Sequence, residues 1–389
     1  MPAFDGDAGY GDPCLEGTLV KEISDVVGAQ ERLAKDGAPY ALATVVGVSG
    51  SAYRRPGAVM LFSAAGSAAG LINAACFEAD LAERALEVMR SGAARLVVYD
   101  NTAPDDIVFG LGLGCNGVVE VLLEPGSTPS TQEKISALRH SLARGKAVVI
   151  ATVVSAEGRK DLRAGHFLAR DDSGIIASTI QDPDLSSLLQ ADVSEMGGNL
   201  FARKRFALGK NEVDVFLQRV LAPVQLLVFG AGADAVPLVE IAKHLGWRVT
   251  VVDHRPAYAV ASRFPKADSV LLSDQVPACG GPGSRRAVVI MTHNYDRDRA
   301  LLPILLDSSA KYVGLLGPGS KRRALLEALE KNGFKPGPDQ LAKLHAPVGL
   351  DIGAETPEEI ALSIVAEIKA VLEDRPGGPL RERSGSIHG

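Results

Sequence analysis

Short apolar runs separated by polar turns dominate the first part of the chain. Residues 40–48 and 58–62 are rich in apolar and β-branched side chains and predict two strands joined by a glycine-containing turn. A turn at 65–66 predicts a hairpin whose return strand covers 69–74. Residues 78–89 place apolar side chains at helical spacing and predict a helix. The pattern therefore predicts a unit of the α+β class.

The same pattern returns 108 residues further along the chain, where the sequence Ala-Thr-Val-Val at 43–46 occurs again at 151–154. One ungapped window holds eight identities, and three of them are glycine pairs: Gly50 and Gly158, Gly57 and Gly165, and Gly66 and Gly174. Chance similarity between two apolar strands is the alternative. Matching turn glycines favour a duplicated α+β unit with a degenerate second copy.

A different pattern begins after residue 222. A short apolar strand is followed at once by the motif G-x-G-x-x-A, which comprises Gly230, Gly232 and Ala235. In this motif the first glycine allows a tight turn, the second lets a pyrophosphate approach the backbone, and the small third residue lets the helix pack on the strand. The next strand ends on Asp253, where such folds carry an acid that binds a ribose hydroxyl. The segment predicts a Rossmann-like, doubly wound parallel sheet.

Two further apolar strands of this segment end in polar loops. Thr292 and His293 follow one strand, and Gly317 and Ser320 follow the next. Because ligands bind beyond the carboxyl ends of the strands in open parallel sheets, we expect these four residues to contact a ligand. The alternatives are a turn histidine that packs against its own loop and a solvated basic helix face.

The composition limits the functional class. With 46% apolar and 23% charged residues the chain is of the globular type, and its net charge of −6 argues against a nucleic-acid partner. No apolar run reaches the length of about 18 residues that crosses a membrane. The four cysteines form no C-x-x-C pair, and residues 1–13 have neither the basic end nor the apolar stretch of a signal peptide. We therefore expect a cytoplasmic protein without a nucleic-acid or membrane partner.

Five segments follow from these patterns. They are a flexible tail at 1–17, an α+β unit at 18–125, its degenerate copy at 126–222, a Rossmann-like domain at 223–374 and a disordered tail at 375–389. The first copy carries Cys76, Glu78 and a glycine-rich loop, whereas the second has Asp184 at the position of Cys76 and no such loop. We therefore expect the chemistry of the repeat in the first copy.

Several longer motifs occur in a fixed order along the chain. They lie at 50–60, 114–125, 253–255, 264–268, 291–296 and 345–360. In this order they resemble the XdhC and CoxI family of xanthine dehydrogenase accessory factors, from about Thr18 to Leu372. Two motifs depart from the family pattern. The usual Gly-Gly-Cys-x-Glu reads Ala-Ala-Cys-Phe-Glu at 74–78, and the usual Gly-Cys-Gly-Gly reads Gly-Cys-Asn-Gly at 114–117.

The resemblance implies a cofactor chaperone rather than an enzyme. It implies that the chain binds molybdenum cofactor, as molybdopterin or its dinucleotide form, and promotes its sulfuration. The client would be a molybdenum hydroxylase of the xanthine dehydrogenase or carbon monoxide dehydrogenase type. A cysteine desulfurase is a further candidate partner, and the low net charge and the duplicated unit favour partner binding and a homodimer. The two departures leave room for a changed ligand or another client.

The resemblance also places the cofactor in the first copy of the repeat. Cys115 lies between Gly114 and Gly117 in a loop that can turn N–H groups towards an anion and lower the pKa of a thiol. Its thiolate would bind molybdenum or carry persulfide sulfur. Cys76 is the second candidate, with Glu78 as its base. The alternative is that both cysteines are small buried hydrophobic residues.

Arg54 and Arg55 would hold the phosphate of the cofactor through forked donors, and the Rossmann segment would hold its nucleotide or a separate NAD(P).

Two other hypotheses about the function stay open. The first rival is an NAD(P)-dependent oxidoreductase in which His293 or Cys115 assists. The second is a nucleotide-sensing regulator that binds no molybdenum. Xanthine dehydrogenase itself is excluded, because the chain has no cysteine spacing for iron–sulfur clusters.

Overall fold

The structure, a computed structural model, describes residues 16–50, 52–72, 77–100, 117–196, 199–277 and 285–382. The chain divides into two compact units, with the boundary between Ala222 and Pro223. The first unit contains two five-stranded sheets and the second contains one six-stranded sheet. Within the described ranges no helix is both long and apolar enough to cross a membrane.

The first sheet of the N-terminal unit is antiparallel, with the strand order β3-β2-β1-β5-β4. Its elements are α1 (Glu16–Lys35), β1 (Tyr40–Gly50), β2 (Val59–Ser63), β3 (Gly66–Gly70), α2 (Glu78–Ser91), β4 (Arg95–Asp100) and β5 (Gly117–Pro125). The return strand β3 starts at Gly66, earlier than the sequence predicts. Gly66 has a φ of 112°, which residues other than glycine rarely adopt, so the chain turns back here and pairing with Ser63 resumes at once.

The second sheet repeats the order of the first, as β8-β7-β6-β10-β9. Its elements are α3 (Pro129–Arg144), β6 (Val148–Ala156), β7 (Phe167–Asp171), β8 (Gly174–Ser178), α4 (Pro183–Glu195), β9 (Phe201–Leu208) and β10 (Asn211–Val220). The paired turn glycines adopt matching left-handed conformations, with φ of 92° at Gly57 and 89° at Gly165. Each first strand also bulges at the same place, leaving Val46 and Val154 unpaired. The two sheets therefore share one local design.

The two copies pack around a shared core, and equivalent residues of each copy contact the other copy. Bulged Val46 and Val154 pack in one cluster with Leu122 of β5 and Phe216 of β10. The Gln218 amide of β10 donates to the Gly57 carbonyl at 2.9 Å. At the equivalent position in β5, Glu124 lies against Gly165, where an added Cβ would be 3.1 Å from Oε1. The copies therefore pack as a pseudo-symmetric pair.

One buried ion pair breaks this symmetry. Lys134 Nζ of α3 lies 2.6 Å from Glu124 Oε1, and their side chains are only 5% and 1% exposed. The corresponding positions of the other half hold Val26 and Gln218. Burial lowers the pKa of Lys134, and the Glu124 carboxylate opposes that shift. Each charge is therefore tolerable only while the other is present.

Removing one partner of this pair should destabilise the N-terminal unit. We expect Glu124→Ala to lower the free energy of unfolding by about 3–5 kcal/mol, because it leaves the Lys134 ammonium buried without a counter-charge. The double variant Glu124→Leu with Lys134→Met should recover most of the loss. Urea unfolding followed by far-UV circular dichroism measures both.

Glu87→Ala is the matched control. It removes an ion pair with Arg95 whose side chains are 59% and 51% exposed, so we expect a change below about 1 kcal/mol. Equal losses in the single and double variants would contradict the coupling of Glu124 to Lys134.

The C-terminal unit is built on an all-parallel sheet with the order β13-β12-β11-β14-β15-β16. Its strands are β11 (Gln225–Phe229), β12 (Arg248–Asp253), β13 (Ser269–Leu272), β14 (Arg286–Ile290), β15 (Tyr312–Leu315) and β16 (Leu344–His345). Counted from β11, this is the 3-2-1-4-5-6 order of dinucleotide-binding folds. The predicted Rossmann-like sheet is confirmed.

Helices cover both faces of this sheet. They are α5 (Ala235–His244), α6 (Tyr295–Asp307), α7 (Gly319–Lys331), α8 (Pro338–Ala342) and α9 (Pro357–Leu372). Alternate residues of β11 face opposite sides, because Leu226 and Val228 join the core with α5 and α9, whereas Leu227 and Phe229 join the core with α6 and α7. Both faces of the strand are therefore buried.

The motif at 345–360 connects α9 to the sheet. Thr356 caps α9 and forms a capping box with Glu359. Further along the helix, Glu367 accepts from the Gly349 N–H at 2.8 Å and pairs with His345 Nδ1 at 3.2 Å. Burial opposes ionisation of Glu367, but these bonds outweigh it and lower its pKa. These contacts of Gly349 and His345 therefore stabilise the fold.

Candidate nucleotide site in the C-terminal unit

A glycine-rich loop lies at the point where the strand order reverses, between β11 and β14. Gly230 has a φ of 115°, and a Cβ there would lie 2.3 Å from the Met291 carbonyl oxygen at the end of β14. Glycine is required because the loop presses on the neighbouring strand. At Gly232 a Cβ would lie 2.2 Å from Asp234 Oδ1, so a carboxylate folds back over this part of the loop. These contacts shape one side of the crevice.

Three consecutive N–H groups of this loop have no acceptor among the described residues. In the described part of the chain, the N–H groups of Gly232, Ala233 and Asp234 have no hydrogen-bond partner, and they precede the first turn of α5. Neighbouring free N–H groups at a helix start form an anion-binding concavity. The loop is therefore able to take a phosphate group.

Asp253 is a buried and fully bonded charge of the crevice. It is only 4% exposed and accepts from the Ala231 N–H at 2.7 Å and from the backbone N–H, Nε and Nη2 of Arg255 at 2.9, 2.9 and 2.8 Å. Burial opposes ionisation, but these bonds outweigh it and lower the pKa of Asp253 to about 2. A ribose hydroxyl would have to share or replace one of these donors.

His293 connects the loop after β14 to the glycine-rich loop. Its Nε2 lies 2.7 Å from Asp234 Oδ2, and its side chain is 61% exposed. The residue adopts a left-handed conformation with a φ of 54°, which turns the ring towards the neighbouring loop. The structure thus brings two sequence-predicted segments, the fingerprint and the histidine loop, into direct contact.

The Thr292 side chain bonds to a buried residue behind the wall of the crevice. Its hydroxyl donates to Asp298 Oδ1 at 2.5 Å, and Asp298 is fully buried in α6. Lys321 Nζ of α7 completes the group at 2.5 Å from Asp298 Oδ2. This chain of contacts ties the loop after β14 to the loop after β15.

The loop after β15 presents a glycine and a serine. Gly317 has a φ of 135°, and a Cβ there would lie 2.7 Å from Cδ of Lys321. Ser320 is exposed in the first turn of α7. The hydroxyl of Ser320 is therefore accessible to a ligand, and a ligand role for both residues stays a prediction.

The structure describes only part of the site predicted in the first copy of the repeat. Glu78 begins α2, and Gly117 begins β5 opposite Gly50. Cys76, Gly114 and Cys115, the last with its predicted molybdenum ligation, lie outside the described residues.

The two predicted phosphate-binding arginines lie in the turn before β2. Arg54 is largely buried and pairs with Glu22 of α1 at 2.5 Å. Burial raises the pKa of Glu22 even though Arg54 acts against that shift. The Arg55 carbonyl accepts from the Ala58 N–H at 3.3 Å, which closes the turn. Of the two, Arg54 already has a counter-charge within the protein.

Sequence reasoning missed several residues of the crevice. Asp234 and Arg255 both lie within motifs that the sequence shows, but their roles depend on side-chain partners. Asp298 carries no motif signal, because a charge six residues after Thr292 is ordinary on a helix, and the basic start of the helix at Lys321 gives no sign of a contact with Asp298. The signal for Arg255 was present in its spacing, two residues after the acidic strand end.

The ionised form of Asp253 should stabilise the C-terminal unit. Its pKa of about 2 lies below the unfolded value of about 3.9, so the contribution is complete above pH 4 and is lost as the pH falls towards 2. We expect Asp253→Asn to lower the free energy of unfolding by about 2 kcal/mol at pH 7 and by progressively less below pH 4. Urea unfolding followed by the fluorescence of buried Trp247 measures this difference.

Asp296→Asn, at a highly exposed carboxylate of α6, is the control and should change stability by less than about 0.5 kcal/mol at each pH. A difference between wild type and Asp253→Asn that stays constant from pH 7 to pH 3 would contradict the prediction.

Known proteins resemble the chain in both units. The XdhC and CoxI family model matches residues 33–100, and the model of the XdhC Rossmann domain matches residues 226–368. A protein of Bacillus subtilis (strain 168), named as a probable xanthine dehydrogenase subunit, is 35% identical over 343 residues, which is 87% of this chain and 94% of that protein.

Two further relatives extend the comparison. The molybdenum cofactor insertion chaperone PaoD of Escherichia coli (strain K12) is 24% identical over 371 residues, which is 95% of each protein. The crystal structure of a xanthine dehydrogenase from Bacillus halodurans matches with a TM-score of 0.71 at 30% identity, covering 92% of this chain and 99% of that one. The chain belongs to the XdhC and CoxI family.

Proposed function

We propose that this chain is an accessory factor that binds molybdenum cofactor and promotes its insertion into a molybdenum hydroxylase. The observation that carries the proposal is the match to the molybdenum cofactor insertion chaperone PaoD, because it covers 95% of both proteins. A match confined to the Rossmann segment would support only a nucleotide site. Here the N-terminal unit is part of the likeness too.

The crevice of the C-terminal unit fits the nucleotide end of a dinucleotide form of the cofactor. The free N–H groups of Gly232, Ala233 and Asp234 would hold its pyrophosphate, beside the first turn of α5. The exposed Ser320 hydroxyl at the start of α7 offers a further donor. The neighbouring Asp234 carboxylate opposes an anion, and the His293 ring at 2.7 Å offsets that charge when it is protonated.

The metal end of the cofactor would lie in the first copy of the repeat. Cys115 would bind molybdenum or carry sulfur there, with Cys76 and Glu78 as the second candidates. Arg55 would meet the phosphate of the pterin, since Arg54 is already paired with Glu22. When bound, the molybdenum centre supplies the redox chemistry of the client enzyme.

Sulfuration and the choice of client refine the proposal. A cysteine desulfurase would pass sulfane sulfur from its own persulfide to the thiol of Cys115 or Cys76, so that no external oxidant is needed. The client would be an enzyme of the xanthine dehydrogenase or carbon monoxide dehydrogenase type. The accessory factor would act as a homodimer in the cytoplasm.

The second candidate function is an NAD(P)-dependent oxidoreductase or a nucleotide sensor. The contact of His293 with Asp234 favours it, because a histidine held by a carboxylate in a nucleotide crevice is suited to proton transfer. This candidate requires nicotinamide binding without molybdenum or pterin.

The first test is the amount of molybdenum and pterin bound per chain. Purified protein is incubated with free molybdenum cofactor, the excess is removed, and wild type is compared with Cys115→Ala and Cys279→Ala. We expect about one cofactor per wild-type chain and a loss of roughly tenfold or more in Cys115→Ala, since the variant lacks the soft metal ligand.

Cys279→Ala is the matched control, because it removes a cysteine of the C-terminal unit and should bind as wild type does. Failure of wild type to bind the cofactor would contradict the accessory role. Unchanged binding by Cys115→Ala would contradict the place of Cys115 in the site.

A further inference from the structure

Beyond the handling of molybdenum cofactor, the crevice has a second recognition element at the carboxyl end of β12. In dinucleotide-binding folds this position faces the ribose of the adenosine half. An accessible carboxylate there binds the 2′- and 3′-hydroxyl groups, whereas an arginine accommodates a 2′-phosphate. The groups that the protein exposes at this position therefore distinguish two classes of nucleotide.

The carboxylate of Asp253 does not reach the surface. Its two oxygens accept from four donors, three of which belong to Arg255, and the residue is 4% exposed. The negative charge is thus neutralised inside the protein. A ribose diol that approached this strand end would meet the guanidinium of Arg255 instead of a free acceptor.

Two guanidinium groups share one aromatic ring next to Asp253. The central carbon of Arg255 lies 3.8 Å from the centre of the Tyr258 ring, and that of Arg263 lies 4.7 Å from the same centre. Stacking of this kind holds guanidinium groups in place while their N–H groups stay available. Tyr258 therefore positions two cations at the edge of the crevice.

Both cations keep hydrogen-bonding capacity for a ligand. Arg255 uses its Nε and Nη2 for Asp253, which leaves N–H groups on Nη1 and Nη2 from the five that a guanidinium carries. Arg263 has no carboxylate partner in the part of the chain that the structure describes. The two arginines thus carry one positive charge more than Asp253 neutralises, and the other carboxylate near Arg255, that of Asp234, contacts the His293 ring.

We infer that this strand end selects a nucleotide with a phosphate on the 2′ position of its adenosine ribose, as in NADP(H). Arg255 and Arg263 bind the phosphate by charge-assisted hydrogen bonds, and Tyr258 fixes the spacing between them. Asp253 acts as a positioning residue that orients Arg255 and does not itself contact the ribose. The inference concerns a ligand other than molybdenum cofactor and does not depend on binding of that cofactor. NADP(H) and a dinucleotide form of the cofactor would compete for the glycine-rich loop.

Binding of nucleotides to the full chain tests this inference. Isothermal titration calorimetry compares NADP⁺ with NAD⁺, and 2′,5′-ADP with 3′,5′-ADP and 5′-ADP, in the absence of molybdenum cofactor. We expect NADP⁺ to bind roughly 10- to 100-fold more tightly than NAD⁺, because the diol form makes no charged contact with the two arginines. We also expect 2′,5′-ADP to bind more tightly than 3′,5′-ADP.

Two variants separate the roles of the two cations. Arg263→Gln removes a cation that has no bond to Asp253, so it should weaken NADP⁺ binding by roughly tenfold and leave NAD⁺ binding unchanged. Arg255→Gln should weaken NADP⁺ binding and strengthen NAD⁺ binding, because it releases the Asp253 carboxylate. Arg299→Gln, at an exposed arginine of α6, is the control and should change neither affinity.

Several results would overturn the inference. They are equal or tighter binding of NAD⁺, a preference for 3′,5′-ADP, absence of binding by every nucleotide, and an unaltered preference in Arg263→Gln that retains the wild-type melting temperature. Molybdenum and pterin are measured in a separate experiment. A missing preference for NADP⁺ therefore does not contradict the accessory role, and a lack of cofactor binding does not contradict the nucleotide preference.

Discussion

Asp253 ends β12 as a buried carboxylate, and the crevice of the C-terminal unit depends on how that charge is matched. A buried charge without partners would cost several kcal/mol, so the Ala231 N–H and three donors of Arg255 must stay in place around it. These bonds hold the glycine-rich loop to the end of the neighbouring strand. Gly230, pressed against the Met291 carbonyl, fixes the loop on its other side. The shape of the crevice follows from these two constraints.

Local signals in the sequence were enough to predict the architecture. The dinucleotide fingerprint and the acid at Asp253 lie close together in the chain, and turn glycines such as Gly66 mark the repeat because their conformation demands them. The partners of the buried charges could not be predicted in this way. Glu124 meets Lys134 between a strand of one copy and a helix of the other, and no spacing in the sequence encodes that contact. The pairing of Asp253 with Arg255 likewise depends on the rotamers of the two side chains.

Two relatives of this chain carry different names, a component of xanthine dehydrogenase and a molybdenum cofactor insertion chaperone. The proposed function follows the second name. A pseudo-symmetric N-terminal unit and a Rossmann-like unit together span the chain, and the sequence has no cysteine spacing for iron–sulfur clusters. Under the proposed function this chain would bind and present a cofactor, and the redox reaction would belong to another chain.

Transfer of cofactor to an apoenzyme tests this account most directly. A molybdenum hydroxylase that lacks its cofactor is mixed with this chain loaded with molybdenum cofactor, with the same amount of free cofactor, or with the unloaded chain. We expect the loaded chain to restore more activity, and faster, than free cofactor does, and the unloaded chain to restore none. Activation no greater than that by free cofactor, or retention of the cofactor by this chain, would contradict the account.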